Sequence, residues 1–106
     1  MNIDISNKLG KAKPTLTIAE GKTYEVDNSA ENVLLMQSRI NGEEMDIDAM
    51  YSIIDMLMGE NALDDIKKMK PSINEIQTII TAIMALVQEI PLEEAEKRFQ
   101  NAAKEQ

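Results

Sequence analysis

The chain has 106 residues, a length that suits one domain with one core, and it carries a net charge of −8. This acidity disfavours ordinary nucleic-acid binding, which needs Lys and Arg to displace counterions from phosphates. The sequence contains no Cys and no His, which excludes disulfides, thiolate catalysis, the usual structural zinc sites and the common nucleophile–base pairs of enzymes.

The start of the chain predicts a small β element. Ile3 and Ile5 alternate with polar residues, which predicts a short strand, and a loop over residues 7–14 follows. Apolar and polar residues then alternate on both sides of Gly21, which predicts a β-hairpin over residues 15–27. Because a two-stranded hairpin is marginally stable alone, we expect its apolar face to pack on helices.

The register of this hairpin depends on its loop. A two-residue loop at Glu20-Gly21 would place the apolar residues of the two strands on opposite faces of the hairpin. A three-residue loop over residues 19–21 pairs Leu16 with Tyr24 and gathers the apolar side chains on one face, with Gly21 in the left-handed conformation. We favour the three-residue loop.

The first helix is predicted to begin after Asn28 or Ser29. Either side chain can cap the helix, and Glu31 stands three residues after Asn28 as in a capping box. The apolar residues of this helix are Ala30, Val33, Leu34, Met36 and Ile40. The helix is expected to stop at Asn41-Gly42, where Gly can adopt the left-handed conformation.

Two further helices are predicted before Pro71. Asp46 is expected to cap the second helix, whose apolar residues keep helical spacing until Gly59. Asn61 is expected to cap a short third helix, which carries acids early and lysines late, an order that complements the helix dipole. Met45 and Met56 fall outside the apolar stripe of the second helix.

The stretch between Pro71 and Pro91 predicts the central helix of the fold. Its apolar residues recur every three or four positions. They are Ile73, Ile76, Ile80, Ile83, Val87 and Ile90. Ser72 and Glu75 form a capping-box pattern at the start, and Pro91 stops the helix. Other apolar residues widen this face, which suits a core helix or a helix that also forms an oligomer seam, and we favour the core.

A fifth helix is predicted after Pro91. Its narrow apolar stripe consists of Leu92, Ala95, Phe99 and Ala102. The chain is therefore predicted to be an α+β protein, mainly α, with a small β-hairpin packed on about five helices around a central helix at residues 73–90. We expect a single domain over residues 1–106, with a β element and loop at 1–27 and a helical part at 28–106.

The sequence predicts no cofactor, no metal and no catalytic site. The paired acids Glu43/Glu44 and Asp46/Asp48 lie at helix boundaries, where capping and solvation explain them. The acidic stretch 41–48 lacks the ligand order of a calcium-binding loop, and no glycine-rich phosphate loop is present. We also expect no secretion signal and no membrane span, and the absence of Cys fits a reducing cytoplasm.

The methionines are the best candidates for partner contacts. Flexible thioether side chains suit surfaces that adapt to varied apolar partners, although they also fill cores that are poor in aromatics. Core filling is the more frequent role and applies best to Met50 and Met58. The candidate partner-binding residues are Leu35, Met36, Met45, Met56 and Phe99.

Three strings of residues resemble a known family. They are Gly-Lys-Thr-Tyr-Glu-Val-Asp at 21–27, Asp-Met-Leu-Met-Gly-Glu-Asn-Ala-Leu-Asp-Asp-Ile at 55–66 and Glu-Glu-Ala-Glu-Lys-Arg-Phe-Gln at 93–100. Together with the acidic helical middle and the order of elements, they are similar to the short tail assembly chaperones of siphophages and prophages from Gram-positive bacteria. The resemblance covers roughly residues 16 to 100.

This resemblance implies a non-enzymatic chaperone that binds the long, helical tape measure protein, keeps it soluble and helps tail tube assembly. Such chaperones act in the host cytoplasm and are absent from the mature virion. They are often made in two lengths by a programmed frameshift, and this chain would be the short form. The expected partners are the tape measure protein, the tail tube protein and further copies of the chain, without direct contact to nucleic acid or membrane.

An alternative function follows from charge alone. Residues 23–66 carry eleven acids against the single basic residue Arg39. Such a surface can imitate nucleic acid, so the chain could act as an acidic inhibitor or regulator of a DNA-binding protein.

Overall fold

The computed structural model describes residues 1–10, 12–42 and 46–104, with side chains described as far as residue 98. Over these residues the chain forms an α+β fold, in which a two-stranded antiparallel hairpin precedes five helices, and the predicted fold class is confirmed. The strands are β1 (Thr15–Ala19) and β2 (Lys22–Glu25). The helices are α1 (Ala30–Gly42), α2 (Ile47–Met58), α3 (Glu60–Lys68), α4 (Ile73–Gln88) and α5 (Leu92–Lys104).

The hairpin combines features of the two registers considered from the sequence. Leu16 pairs with Tyr24, which confirms the favoured register. Ala19 nevertheless pairs with Lys22, so the turn itself contains two residues rather than three. Ile18 is the extra residue at the register shift, and this β-bulge allows a short turn and a one-sided apolar face to coexist.

The predicted caps of α2 and α4 are confirmed. The Asp46 carboxylate accepts a hydrogen bond from the backbone N–H of Ala49 at 2.8 Å and caps α2. At α4, the Ser72 hydroxyl accepts from the Glu75 N–H at 3.1 Å, and the Glu75 carboxylate accepts from the Ser72 N–H at 2.9 Å. This capping box satisfies backbone donors that the first turn of a helix leaves unpaired.

Of the two residues expected to cap α1, Ser29 takes that place. Its hydroxyl accepts from the Asn32 N–H at 3.4 Å, and its carbonyl accepts from the Val33 N–H at 2.9 Å. Asp27 supports the same helix start, because its carboxylate accepts from the Ser29 N–H and from the Asn32 side-chain amide. The entry from the hairpin into α1 is therefore held by three side chains.

The strand predicted at Ile3 and Ile5 is wrong. Residues 1–5 have no regular structure, and a 3-10 turn at Ser6–Lys8 follows them. All of residues 1–10 are exposed. Apolar and polar residues do alternate there. In the part of the chain that the structure describes, however, the only sheet is the β1–β2 hairpin, and a strand without a partner is unstable in water.

The glycines differ in how they end the elements. Gly59 has a φ of 95° and separates α2 from α3, so α3 begins at Glu60 and the predicted cap at Asn61 is wrong. Gly42 lies in the last turn of α1 without a positive φ, so the left-handed helix end predicted there does not form. The left-handed conformation predicted for Gly21 is confirmed, with a φ of 76°.

The core lies around α4, as predicted. This helix packs against α2, α5 and β1, and its residues Ile76, Ile80 and Ile83 are fully buried. The other elements contribute the buried side chains of Val26, Met36, Met50, Ile53, Ile54, Leu57, Ile66 and Ala95. Among the described side chains no aromatic residue is buried, so aliphatic and Met side chains provide the packing.

The end of α4 is set by its sequence. Glu89 adopts the left-handed conformation with a φ of 54°, and Pro91 follows at the turn into α5. Within the described ranges, no single helix is both long and apolar enough to cross a membrane. Together, α4 and the first part of α5 reach the length and apolar composition of a membrane span, but a bend of 112° separates them.

The substitution Ile80→Ala should lower the free energy of unfolding by about 2–5 kcal/mol, because it removes fully buried atoms and leaves a cavity. Ile73→Ala is the matched control, since it makes the same change in the same helix at a side chain that is 60% exposed. The control should change stability by less than about 0.5 kcal/mol. Urea denaturation measures both values, and equal losses would contradict the assignment of the buried face of α4.

Candidate partner-binding surfaces

The residues that the sequence suggested for partner binding differ in their exposure in the structure. Met36 is fully buried and presents no side chain to a partner in this fold. Met56 is half-buried and packs against the core. Leu35 is 49% exposed on α1. Met45 and the side chain of Phe99 lie outside the described residues.

α1 runs antiparallel to α2 and is held by polar contacts as well as by its buried side chains. Near the start of α1, the Asn32 side-chain amide donates to the Met56 carbonyl at 3.3 Å. Near its end, the Arg39 guanidinium donates to the Ser52 hydroxyl at 2.6 Å. These two contacts and the buried side chains of Met36 and Ile40 lie on the inward face of α1 and leave its other face to solvent.

The outer face of α1 presents two adjacent leucines to solvent. Leu34 is 64% exposed and Leu35 is 49% exposed. With the exposed residues Glu31 and Ser38 they occupy positions i, i+3, i+4 and i+7, which share one face of a helix. These four residues are the leucine face. Leu34 was predicted as an apolar residue of the first helix and not as a partner-binding residue. A helix that buries Met36 nevertheless has to turn Leu34 away, because residues two positions apart lie on opposite sides of a helix.

A second apolar feature is a groove between β1, α3 and α4, with a volume of about 240 Å³. Its apolar lining consists of Leu16, Ile18, Ile66, Met69, Pro71, Ile79 and Ala82. Thr17 also lines it. Glu75 and Thr78 complete the lining of this groove, which is called the β1–α4 groove below.

Polar contacts hold α3, one wall of the β1–α4 groove, against the hairpin and α2. The Tyr24 hydroxyl donates a hydrogen bond to the Asp65 carboxylate, and the Lys22 ammonium lies 3.9 Å from the same carboxylate. The Lys67 ammonium lies 5.0 Å from the centroid of the Tyr51 ring. The hydrogen bond from Tyr24, assisted by nearby lysines, lowers the pKa of Asp65, and the same bond raises the pKa of Tyr24.

The polar side chains of the described interior are engaged in local contacts. Thr81 is buried, and its hydroxyl donates to the Gln77 carbonyl at 2.7 Å. No buried side-chain N or O atom in the described ranges lacks a hydrogen-bond partner, and no group of three or more acids there is placed to hold a metal ion. The acid pair Glu43/Glu44 lies outside the described residues.

Comparisons of the chain with models of protein families, with curated proteins and with solved structures find no match. The function of the chain is therefore inferred from its own residues. Among the apolar surfaces of the described residues are the leucine face, the β1–α4 groove and the exposed residues 1–10.

The substitution Tyr24→Phe should raise the pKa of Asp65 toward its ordinary value of 3.8, because phenylalanine keeps the ring but donates no hydrogen bond. In the wild type, a lowered pKa means that the bonded carboxylate stabilises the fold above about pH 4 and that this contribution is lost as the pH falls through the lowered pKa. The variant should therefore lose less of its stability in acid.

NMR titration of the side-chain carboxyl of Asp65 measures this pKa directly. Tyr51→Phe is the matched control, because its ring faces Lys67 and its hydroxyl is not the donor to Asp65. The control should leave the Asp65 titration unchanged. An Asp65 carboxyl that titrates identically in wild type and Tyr24→Phe would contradict the role of this hydrogen bond.

Proposed function

We propose that this chain is a non-enzymatic tail assembly chaperone of a siphophage or prophage, which binds the tape measure protein and helps the tail tube assemble in the host cytoplasm. Support comes from the resemblance of residues 21–27, 55–66 and 93–100 to that family. The three strings lie in the hairpin and the link after it, in α2 and α3, and in α5. The resemblance is therefore spread over the fold rather than confined to one element.

The observation that carries this proposal is the leucine face. Residues spaced i, i+3, i+4 and i+7 form the contact stripe of packed helix pairs, so an apolar helix of a client can lie against Leu34 and Leu35. Glu31 and Ser38 end this stripe with hydrated groups. The net charge of −8 favours the solubility of a chain that exposes this stripe.

The nucleic-acid mimic has less support. An acidic mimic needs carboxylates that face a basic partner. Three acids of the acid-rich region, Asp27, Asp46 and Asp65, instead accept hydrogen bonds within the fold. We therefore advance the chaperone function alone.

Co-expression with the tape measure protein of the same phage or prophage tests the proposal. The wild-type chain should increase the soluble fraction of the tape measure protein and co-elute with it in size-exclusion chromatography. The double substitution Leu34→Glu/Leu35→Glu should weaken binding at least tenfold, which corresponds to about 1.4 kcal/mol, because it places two charges in an apolar contact.

The double substitution Ile73→Glu/Leu92→Glu is the matched control. It adds the same two charges at side chains that are 60% and 46% exposed, in the first turns of α4 and α5, where acids suit the helix dipole. This variant should bind like the wild type, and thermal unfolding should show that both variants fold. A tape measure protein that stays insoluble beside the wild-type chain, or equal losses of binding in the two variants, would refute the proposal.

A further inference from the structure

The helix α3 is held in different ways on its two sides. On one side it packs against α2, and the Lys67 ammonium lies near the Tyr51 ring of that helix. Toward β1 and α4 its direct packing is slight, and the β1–α4 groove lies between the three elements. The hairpin reaches α3 at Asp65, whose carboxylate accepts a hydrogen bond from the Tyr24 hydroxyl and lies 3.9 Å from the Lys22 ammonium. These last three residues form a polar contact that we call the Asp65 clasp.

Unusual backbone conformations lie at both ends of α3. Gly59, before the helix, has φ 95° and ψ 167°, a combination that is essentially restricted to glycine. Lys70, after the helix, has a φ of 51° in the left-handed region, although it precedes Pro71 and a residue before proline favours extended backbone. The observed position of α3 therefore holds Lys70 in a strained conformation, and a displacement of α3 can release that strain.

The apolar attachment of α3 is small. The helix has 9 residues, fewer than the ~12–15 at which isolated helices become stable in water. It buries two side chains, Ala62 and Ile66, whereas α2 and α4 bury five each. Segments with few buried apolar contacts open locally at a lower free energy than the whole fold. Opening of α3 should therefore cost less free energy than unfolding of the helices that form the centre of the core.

We propose that residues 60–69 form a flap, which opens as a unit ahead of global unfolding and is held closed by the Asp65 clasp. The chain turns at Gly59 and Lys70 when the flap opens, while α2 and α4 keep their places. Opening exposes Ile66, which is fully buried and lines the β1–α4 groove in the closed state. The flap thereby controls how much apolar surface the chain presents beside β1 and α4. This inference is independent of the chaperone function.

Hydrogen exchange of the full chain, followed by NMR in urea below the unfolding transition, tests whether the flap exists. The amides of residues 64–68 should share one opening equilibrium, at least about a hundredfold more populated than the opening of the amides of residues 76–83. Their exchange should also depend less on urea, because a local opening exposes less surface than global unfolding. Equal protection and equal urea dependence in α3 and α4 overturn the proposal. Unrelated opening equilibria among the α3 amides also overturn it, because they indicate fraying rather than a unit.

The substitution Asp65→Ala tests the clasp. It removes the acceptor of the Tyr24 hydrogen bond and the partner of Lys22, while alanine favours the helix, so faster exchange cannot come from lower helix propensity. The opening of α3 should become about tenfold more populated, because a hydrogen bond to a charged group is lost. Asp64→Ala is the matched control, since it makes the same change at an exposed neighbouring acid outside the clasp. The control should stay within about twofold of the wild type. Equal effects of the two substitutions overturn the role of the clasp.

A covalent replacement of the clasp provides a second test. The double substitution Lys22→Cys/Asp65→Cys removes the clasp and introduces two thiols at its ends, and the chain has no other Cys. Before cross-linking, the α3 amides of this variant should exchange about tenfold faster than those of the wild type, as in Asp65→Ala. After reaction with a short bis-maleimide, they should exchange no faster than the amides of α4, because the link holds α3 on the hairpin. α3 amides that still exchange well ahead of α4 in the cross-linked chain overturn the proposal.

Discussion

The burial of one aliphatic face of α4 is the interaction on which the other elements depend. α1, α2, α3 and α5 have 13, 12, 9 and 13 residues, at or below the ~12–15 residues at which isolated helices become stable in water. The two-stranded hairpin is marginal on its own. α4 has 16 residues, begins at a capping box and ends before Pro91, and its buried isoleucines join α2, α5 and β1. Each of these shorter elements therefore depends on packing rather than on its own propensity.

This use of α4 determines where apolar surface remains for partners. The apolar residues of α4 are largely buried in the core, so the exposed apolar pair Leu34 and Leu35 lies on another helix, α1.

Much of the local structure was predictable because its causes act over a few residues. A capping box requires only Ser72 and Glu75, and a helix cap requires only Asp46 and the amides that follow it. Helical spacing identified Ile76, Ile80 and Ile83 as buried, although Ile73 of the same stripe is 60% exposed and Met84 outside it is buried. Pro91 marked the end of the helix. The pairing of Leu16 with Tyr24 was also predictable, because one apolar face excludes the alternative register.

The sequence by itself therefore determined the order of the elements, most of their ends and the central place of α4, because capping, proline and periodicity are local. Only the tertiary structure decided which of several neighbouring apolar residues is buried. Met36 rather than Leu34 enters the core because contacts between α1 and α2 choose the rotation of the helix. Ile18 forms a bulge because strand pairing and turn length had to be satisfied together. Ile3 and Ile5 form no strand because a strand needs a partner, and a pattern in one segment cannot supply it.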